Sequence, residues 1–448
     1  MQKSIFVFLI ILCLSITSFA QNRQYFSEIP LFENGKNGYA CYRIPAIIKA
    51  PNGDLLAFAE GRVTGCSDFG NIDIVMRKSS DNGMTWDEQI IIAENGKLQA
   101  GNPAPVIDLL DPNFPNGRIF LFYNTGNNHE SEVRKGNGLR EVWYVTSENN
   151  GETWSKPANI TNRVHRPNYP PQYSFSEDWR SYANTPGHAL QLTYGKYEGR
   201  IFVPANHSEG TPQGNFNEYR AHAFYSDDHG KTWHLSENVN VPSSNESIAV
   251  QLSDGQVLQN IRHQNGDSKH RISALSSDGG ATWDTAYIDL NLPDPVCQAS
   301  IVDYESPSGM VLLFSNPNSQ ANREKMTVRV SFDDGKTWLL SRQIRAGESA
   351  YSDLVIQSNN QIGLLYEHGS NGGIFYAHFN WDWLVGEKNH TDNAWVNKLI
   401  NKDLSDGFDF KLSSPMLKYE DNLFEKEMKV SAELGHPNVR LHYTLDSS

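Results

Sequence analysis

Short apolar runs, broken at regular intervals by Gly, Asn, Asp and Ser, set the rhythm of the chain. Within them hydrophobic and polar residues alternate, as at 72–77 (IDIVMR), 141–146 (EVWYVT), 221–225 (AHAFY) and 326–330 (MTVRV). A strand points successive side chains to opposite faces, so this period predicts β-strands with one face buried. An octapeptide of the form S-x-[D/N]-x-G-x-T-W follows these runs. It occurs at 79–86 (SSDNGMTW), 147–154 (SENNGETW), 226–233 (SDDHGKTW), 276–283 (SSDGGATW) and 331–338 (SFDDGKTW). The pattern predicts a hairpin turn in which Asp or Asn bonds nearby backbone amides and Gly adopts a left-handed conformation. The large Trp ring is expected to pack back onto the preceding strand.

The repeats are spaced by 68, 79, 50 and 55 residues. A period of that size, one supersecondary unit each, belongs to a solenoid or a propeller, and four short strands per unit fits a propeller blade. Five marked units plus one unmarked predict an all-β, six-bladed β-propeller. The turns read as structural elements on its outer side, and their Asp residues as non-catalytic.

The pattern begins and ends inside the chain. Residues 1–20 carry a positive start at Lys3, an apolar core at 5–16 and a small-residue site at Ser18-Phe19-Ala20. That is the form of a secretory signal peptide, with an apolar run too short to span a bilayer. The propeller is expected over 21–400, with 380–403 as a connector or last edge piece, and a C-terminal segment over 401–448. The localisation implied is secreted or periplasmic, with no membrane span in the mature chain.

Composition agrees with a large β protein, rich in Tyr, Trp, Phe, Gly and Asn. The net charge of −14 and the lack of a basic stripe argue against nucleic acid as a partner. Cys41, Cys66 and Cys297 remain after the leader. So sparse and odd a set does not make a disulfide framework, and free thiols are favoured over a Cys41–Cys66 bridge. No CxxC or HExxH pattern points to a metal, and no organic cofactor is implied.

One constellation carries chemistry. Tyr42-Arg43-Ile44-Pro45 followed by the turn repeats resembles the exo-α-sialidase (neuraminidase) family of the bacterial and animal type, over about residues 38 to 379. By that resemblance three arginines grip the substrate carboxylate: Arg43, Arg262 in Gln259-Asn260-Ile261-Arg262, and Arg323 in Asn322-Arg323-Glu324. Guanidinium suits the task, since its rigid fork pairs bidentately with carboxylate and stays charged. Arg329 lies near Arg323 but reads as a strand residue. Tyr351 in Ser349-Ala350-Tyr351-Ser352-Asp353 matches the nucleophile, and Glu246 in Ser244-Asn245-Glu246-Ser247 its base. Asp68 in Ser67-Asp68-Phe69-Gly70 matches the acid/base, with Asp73 the structural competitor. Glu367 matches a carboxylate that orients the first arginine. Arg62 matches an arginine near the sugar 4-hydroxyl, where many bacterial members add an aspartate; here Ala104 stands at the corresponding place.

The resemblance implies a retaining hydrolase that removes terminal sialic acid from glycans or glycoconjugates through a tyrosyl intermediate. Transfer to another sugar, or intramolecular release of an anhydro product, would use the same groups. A non-catalytic glycan-binding propeller would need the arginines but not a nucleophile, base and acid together. At the C-terminus, Val439-Arg440-Leu441-His442-Tyr443 resembles the start of a small sandwich module appended to some glycan enzymes, with too few residues left to complete one.

Overall fold

The computed structural model describes residues 24–369, 373–386, 416–418 and 431–433. The leader expected at 1–20 lies outside the described residues. So does the segment expected at 401–448, except for two paired short strands, Met416–Lys418 and Ser431–Glu433.

The alternating runs become antiparallel meanders. One four-stranded sheet comprises Ser244–Gln251, Val257–His263, His270–Ser276 and Thr285–Pro293. The next comprises Ser300–Ser306, Gly309–Pro317, Met326–Ser331 and Leu340–Gln343. A five-stranded sheet is built on Trp179–Asn184, Ile201–Glu209 and Tyr219–Ser226. In the last sheet, Ser352–Ile356, Ile362–Glu367 and Ile374–Phe379 accept the N-terminal strand Phe26–Phe32 on their open edge. Phe26 pairs with Phe379, so two strands more than 300 residues apart in sequence share one sheet. That pairing removes an exposed edge.

The arrangement is all-β and propeller-like. Six separate blades were expected, yet only four sheets of blade size stand alone among the described residues. The stretch from Cys41 to Asn159 instead forms one eight-stranded sheet. The reason is local: Ile72 and Gln99 make a parallel bridge that joins two consecutive meanders.

All five octapeptides fold alike. In the first, Gly83 N–H donates to Ser79 Oγ (2.8 Å), Thr85 N–H to Asp81 Oδ1 (2.8 Å) and Thr85 Oγ1 to Asp81 Oδ2 (2.6 Å). Gly83 has φ +81°, and a Cβ there would run into the Tyr376 ring. The tryptophans depart from expectation: they seal neighbouring meanders rather than covering only their own strand. Trp86 meets Tyr376 of the last sheet edge-on, Trp154 meets Phe58, and Trp283 meets Phe202. Trp233 packs against both Phe122 and Phe224. Geometry explains this, because the turn projects past the end of its own strand, where apolar surface is offered by the adjoining meander.

Near the centre, the fully buried Asp353 ties these units together. Its carboxylate accepts from Ile47 N–H (2.8 Å), His188 N–H (3.0 Å), His188 Nδ1 (2.7 Å) and Ser300 Oγ (2.8 Å). Those donors come from three separate parts of the chain. Buried carboxylates need such satisfaction, and the result fixes the segment that begins at Tyr351.

Candidate active site

Three β-bulges build the site. In the strand Cys41–Lys49, Arg43 pairs with Glu60 and Ala46 with Phe58, so Ile44 and Pro45 stand opposite Ala59 alone. Ile44 has φ +59°, an outlier for a β-branched residue, and Pro45 lacks an N–H that a regular ladder would need. The bulge turns Arg43 toward the pocket. Asn102-Pro103 repeats the device in Gln99–Asp108, with Asn102 at φ +55°. In Ser244–Gln251, a third bulge places Asn245 and Glu246 against Arg262.

Arg43 is held by Glu367, which accepts from its Nε (3.1 Å) and Nη2 (3.3 Å). The same carboxylate accepts from Ile44 N–H (2.9 Å) and Tyr351 N–H (3.4 Å). Glu367 thereby fixes a guanidinium and the backbone of Tyr351 together. The Tyr351 hydroxyl donates to the Glu246 carboxylate (2.7 Å) and accepts from Arg262 Nη1 (2.8 Å). Arg262 Nη1 also reaches Glu246 (2.6 Å). Arg43 and Arg323 lie 5.3 and 5.5 Å from the centre of the Tyr351 ring, while Arg323 Nη2 donates to the Val296 carbonyl (2.7 Å).

Electrostatics separates the roles open to these groups. Burial, reinforced by Glu246, pushes the Tyr351 phenol well above its ordinary value despite three nearby arginines. It is protonated at neutral pH, and the carboxylate beside it is placed to take that proton. Burial works against charge on Arg43 and Arg262, yet Glu367, Tyr351 and Asp68 together outweigh it at Arg43, and Glu246, Tyr351 and Cys297 together at Arg262.

Asp68 sits at the mouth on the exposed loop 63–71, its side chain 63% accessible. Its Oδ1 accepts from Arg62 Nη1 (2.8 Å) and Arg43 Nη1 (3.1 Å). Burial disfavours the ionised form, but Arg62 and Arg43 outweigh it and hold the carboxyl below the usual range. Arg62 is anchored by Glu60 (2.7 Å).

Two readings need correction. Cys41 and Cys66 form a disulfide; antiparallel pairing and the returning loop bring together residues the sparse count had left free. Ala104 does not face the pocket. It pairs with Phe122 and is buried in a cluster with Val106 and Phe224. The bulge shifts the pocket-facing position to Asn102, whose N–H donates to Glu60 (2.9 Å). Asp73 lies in a strand and accepts from Tyr39 (2.8 Å), and Arg329 is buried against Asn316 (2.7 Å).

Gln99, Glu130, Arg140, Tyr182 and Asn206 also line the cavity and were not singled out. They come from four separate strands and one short helix, with no shared motif. Asn102 had a signal, the Asn-Pro pair that mirrors Ile44-Pro45. Elsewhere, Asp108, Asp111 and His229 approach one another. Arg118 already supplies a cation there, 3.2 Å from Asp111 and 3.7 Å from Asp108.

Residues 53–365 match the BNR repeat-like domain. The chain is 30% identical to the Paraclostridium sordellii sialidase over 78% of its own length and 86% of that protein. The chain belongs to the sialidase family. It is 36% identical to the Micromonospora viridifaciens sialidase across 81% of this chain, and spans 55% of that relative's length. Among solved structures, the Hadza microbial sialidase Hz136 superposes with a TM-score of 0.67 at 24% identity, covering 80% of this chain and 69% of that one. A leech intramolecular trans-sialidase gives 0.66 at 18% identity, covering 81% and 71%. The chain therefore shares its fold with a sialidase and with an intramolecular trans-sialidase.

Proposed function

We propose that this sialidase hydrolyses terminal sialic acid from glycoconjugates with retention, on a six-bladed propeller in which the eight-stranded sheet counts as two blades. The carrying observation is the Tyr351 hydroxyl held between Glu246 (2.7 Å) and Arg262 (2.8 Å), with Arg43 and Arg323 beside its ring. Sialic acid bears a carboxylate on its anomeric carbon. Arg43, Arg262 and Arg323 form a cationic cradle for that group. A carboxylate nucleophile would meet like charge there, whereas a phenol does not; sialidases are the recognised tyrosine exception among retaining glycosidases.

In the first step Tyr351 Oη bonds to the anomeric carbon and passes its proton to Glu246, while the bond to the leaving oxygen breaks. Asp68 gives that oxygen a proton. In the second step Asp68 takes a proton from water, whose oxygen replaces the tyrosyl oxygen; Glu246 returns its proton to Tyr351. An incoming carboxylate displaces Asp68 from Arg43 and cancels part of the cationic field that keeps it ionised. Substrate binding thus raises the affinity of Asp68 for the proton it must donate.

Export past the cytoplasm is part of this reading. It rests on the leader-like start and on a disulfide, which persists in oxidising compartments.

The test is cleavage of an α-sialoside followed by NMR of the first product. Early release of the α-anomer supports retaining hydrolysis. An initial β-anomer would refute the tyrosyl route, and an anhydro sugar or a sialylated acceptor would reassign the outcome to transfer.

A further inference from the structure

We propose that the Cys41–Cys66 disulfide positions Asp68 for proton transfer, a role that rests on the acid/base reading above. Cys41 is fully buried, two residues before Arg43; Cys66 is exposed, two residues before Asp68. The bridge therefore ties the strand that carries one carboxylate-binding guanidinium to the loop that carries the acid.

The loop needs such a tether. Its base closes through Val63 N–H to the Asn71 carbonyl (3.0 Å). Gly65 and Gly70, at φ +155° and +151°, flank the tip in conformations that side chains rarely adopt. At the tip, Arg62 Nη1 grips the Cys66 carbonyl (2.6 Å) and Asp68 (2.8 Å), and Arg43 adds its bond to Asp68. The Arg43 contact is the one an arriving carboxylate takes away. Proton donation also requires Asp68 to be neutral, which weakens its hold on Arg62. The Arg62 bond to the Cys66 carbonyl and the covalent tether are indifferent to both events, and of the two only the tether joins the loop to the strand of Arg43. It keeps the acid within reach when its ionic restraints have gone, and reach is what sets the effective concentration of a catalytic group.

A disulfide also acts on the unfolded chain and so on global stability. That effect would not distinguish one leaving group from another, whereas displacement of Asp68 would. A sugar leaving group needs a proton; an acidic phenol departs without one.

The experiment measures kcat/KM for a sialyl-galactoside and a nitrophenyl sialoside with oxidised enzyme, enzyme reduced by dithiothreitol and alkylated, and the Cys41→Ser/Cys66→Ser double variant. The dithiol supplies the two electrons and two protons that turn the bridge into two thiols. Cys297 is buried and its thiol pushed up to about 12, so it stays outside the chemistry. Opening the bridge should lower the galactoside value about tenfold or more and the nitrophenyl value less than about threefold, because only the former requires the acid. Reoxidation of reduced, unalkylated enzyme should restore the ratio. Equal losses on both substrates, or no loss on either, overturn the proposal. If the double variant does not fold, the reduced enzyme decides on the same ratio. An oxidised enzyme that cleaves neither sialoside overturns the proposed function and this role with it; one that cleaves both at a ratio insensitive to reduction overturns the tether alone.

Discussion

Asp81 in the first outer turn and Asp68 in the pocket are both aspartates in Ser- and Gly-containing loops, and both are held below the usual carboxylate range. The causes differ. For Asp81, burial opposes ionisation but is outweighed by bonds from its own turn: Thr85 hydroxyl and N–H, then Ser79. For Asp68, burial is outweighed by Arg62, which ends the strand leading into its loop, and by Arg43, on the strand paired with that one. The first carboxylate is committed to the backbone that surrounds it. The second is held by cations that a ligand can take over. Ionisation alone therefore does not separate a structural acid from a chemical one; the origin of its partners does.

Acid should separate the two regions most strongly. Behind the pocket wall, His165, His207 and His222 are fully buried, with Trp179 stacked on His207 and Tyr182 against His165. Burial, aided by neighbouring cations or imidazoles, holds all three well below their ordinary value, so they are neutral in the fold. Unfolded, they titrate near about 6.5. Above that pH neither state binds these protons. As pH falls through it, the unfolded chain takes up protons the fold refuses, and stability drops by up to about 4 kcal/mol per pH unit for three sites. Asp81, Asp228 and Asp278 of the outer turns respond later: their contribution is present above about pH 4 and lost as pH falls further, through their depressed values. Denaturant titrations between pH 7 and 4 should show the early loss, and His165→Phe should reduce its slope by about one proton's worth. A stability flat over that range would remove the histidines from the account.

Trp233→Ala tests the outer side alone. It empties the seam among Phe122, Phe224 and Tyr144, and should cost about 3–5 kcal/mol of stability. The kcat of the folded fraction should stay within about twofold, since no pocket group is touched. Tyr351→Phe is its converse. Retaining turnover should fall about a hundredfold or more, ~3 kcal/mol in the barrier, while a carboxylate-bearing sialic acid analogue still binds within a few-fold. Calorimetry beside kinetics distinguishes them; lost binding with intact turnover would reverse the assignment.

These two regions were also unequally legible. The outer turns announce themselves because each is closed by contacts four residues apart, so the octapeptide contains its own explanation. The direction of each Trp was not legible, since it depends on the neighbouring meander. In the pocket, Arg43, Arg62, Asp68, Glu246, Arg262, Arg323 and Tyr351 line one cavity with Glu367 behind them, and short motifs had marked each. What the motifs hid was backbone irregularity. A bulge adds one residue to its strand, so Gly101 and Ala104 share a face although they are three apart, and Asn102 rather than Ala104 reaches the cavity. The Cys41–Cys66 bridge was hidden for a related reason: strand pairing of Cys41 with Arg62 brings the ends together, and cysteine count carries no register. The double width of the first sheet rests on a single bridge at Gln99 that no composition records.

The smallest effect gives the sharpest form of the comparison. Asp81→Ala removes the acceptor for Thr85 N–H and Thr85 Oγ1 and for Ser79 Oγ. Those donors lie at the edge of the fold, where water can replace part of what is lost. The cost should be about 1–2 kcal/mol of stability, as for other side-chain caps of local backbone, with kcat and KM unchanged at temperatures where the protein is folded. Asp81→Asn should recover most of it, because the second turn already uses Asn149, whose Oδ1 accepts from Thr153 N–H (3.0 Å) and whose Nδ2 donates to Thr153 Oγ1 (2.9 Å). At Asp68 the same amide exchange keeps shape but removes the transferable proton, so it should depress turnover of sugar-linked substrates while leaving stability almost untouched. Paired melting and kinetic measurements on the two Asn variants decide the matter: if Asp81→Asn costs activity, or Asp68→Asn costs stability instead, the origin of a carboxylate's partners is the wrong guide to its role.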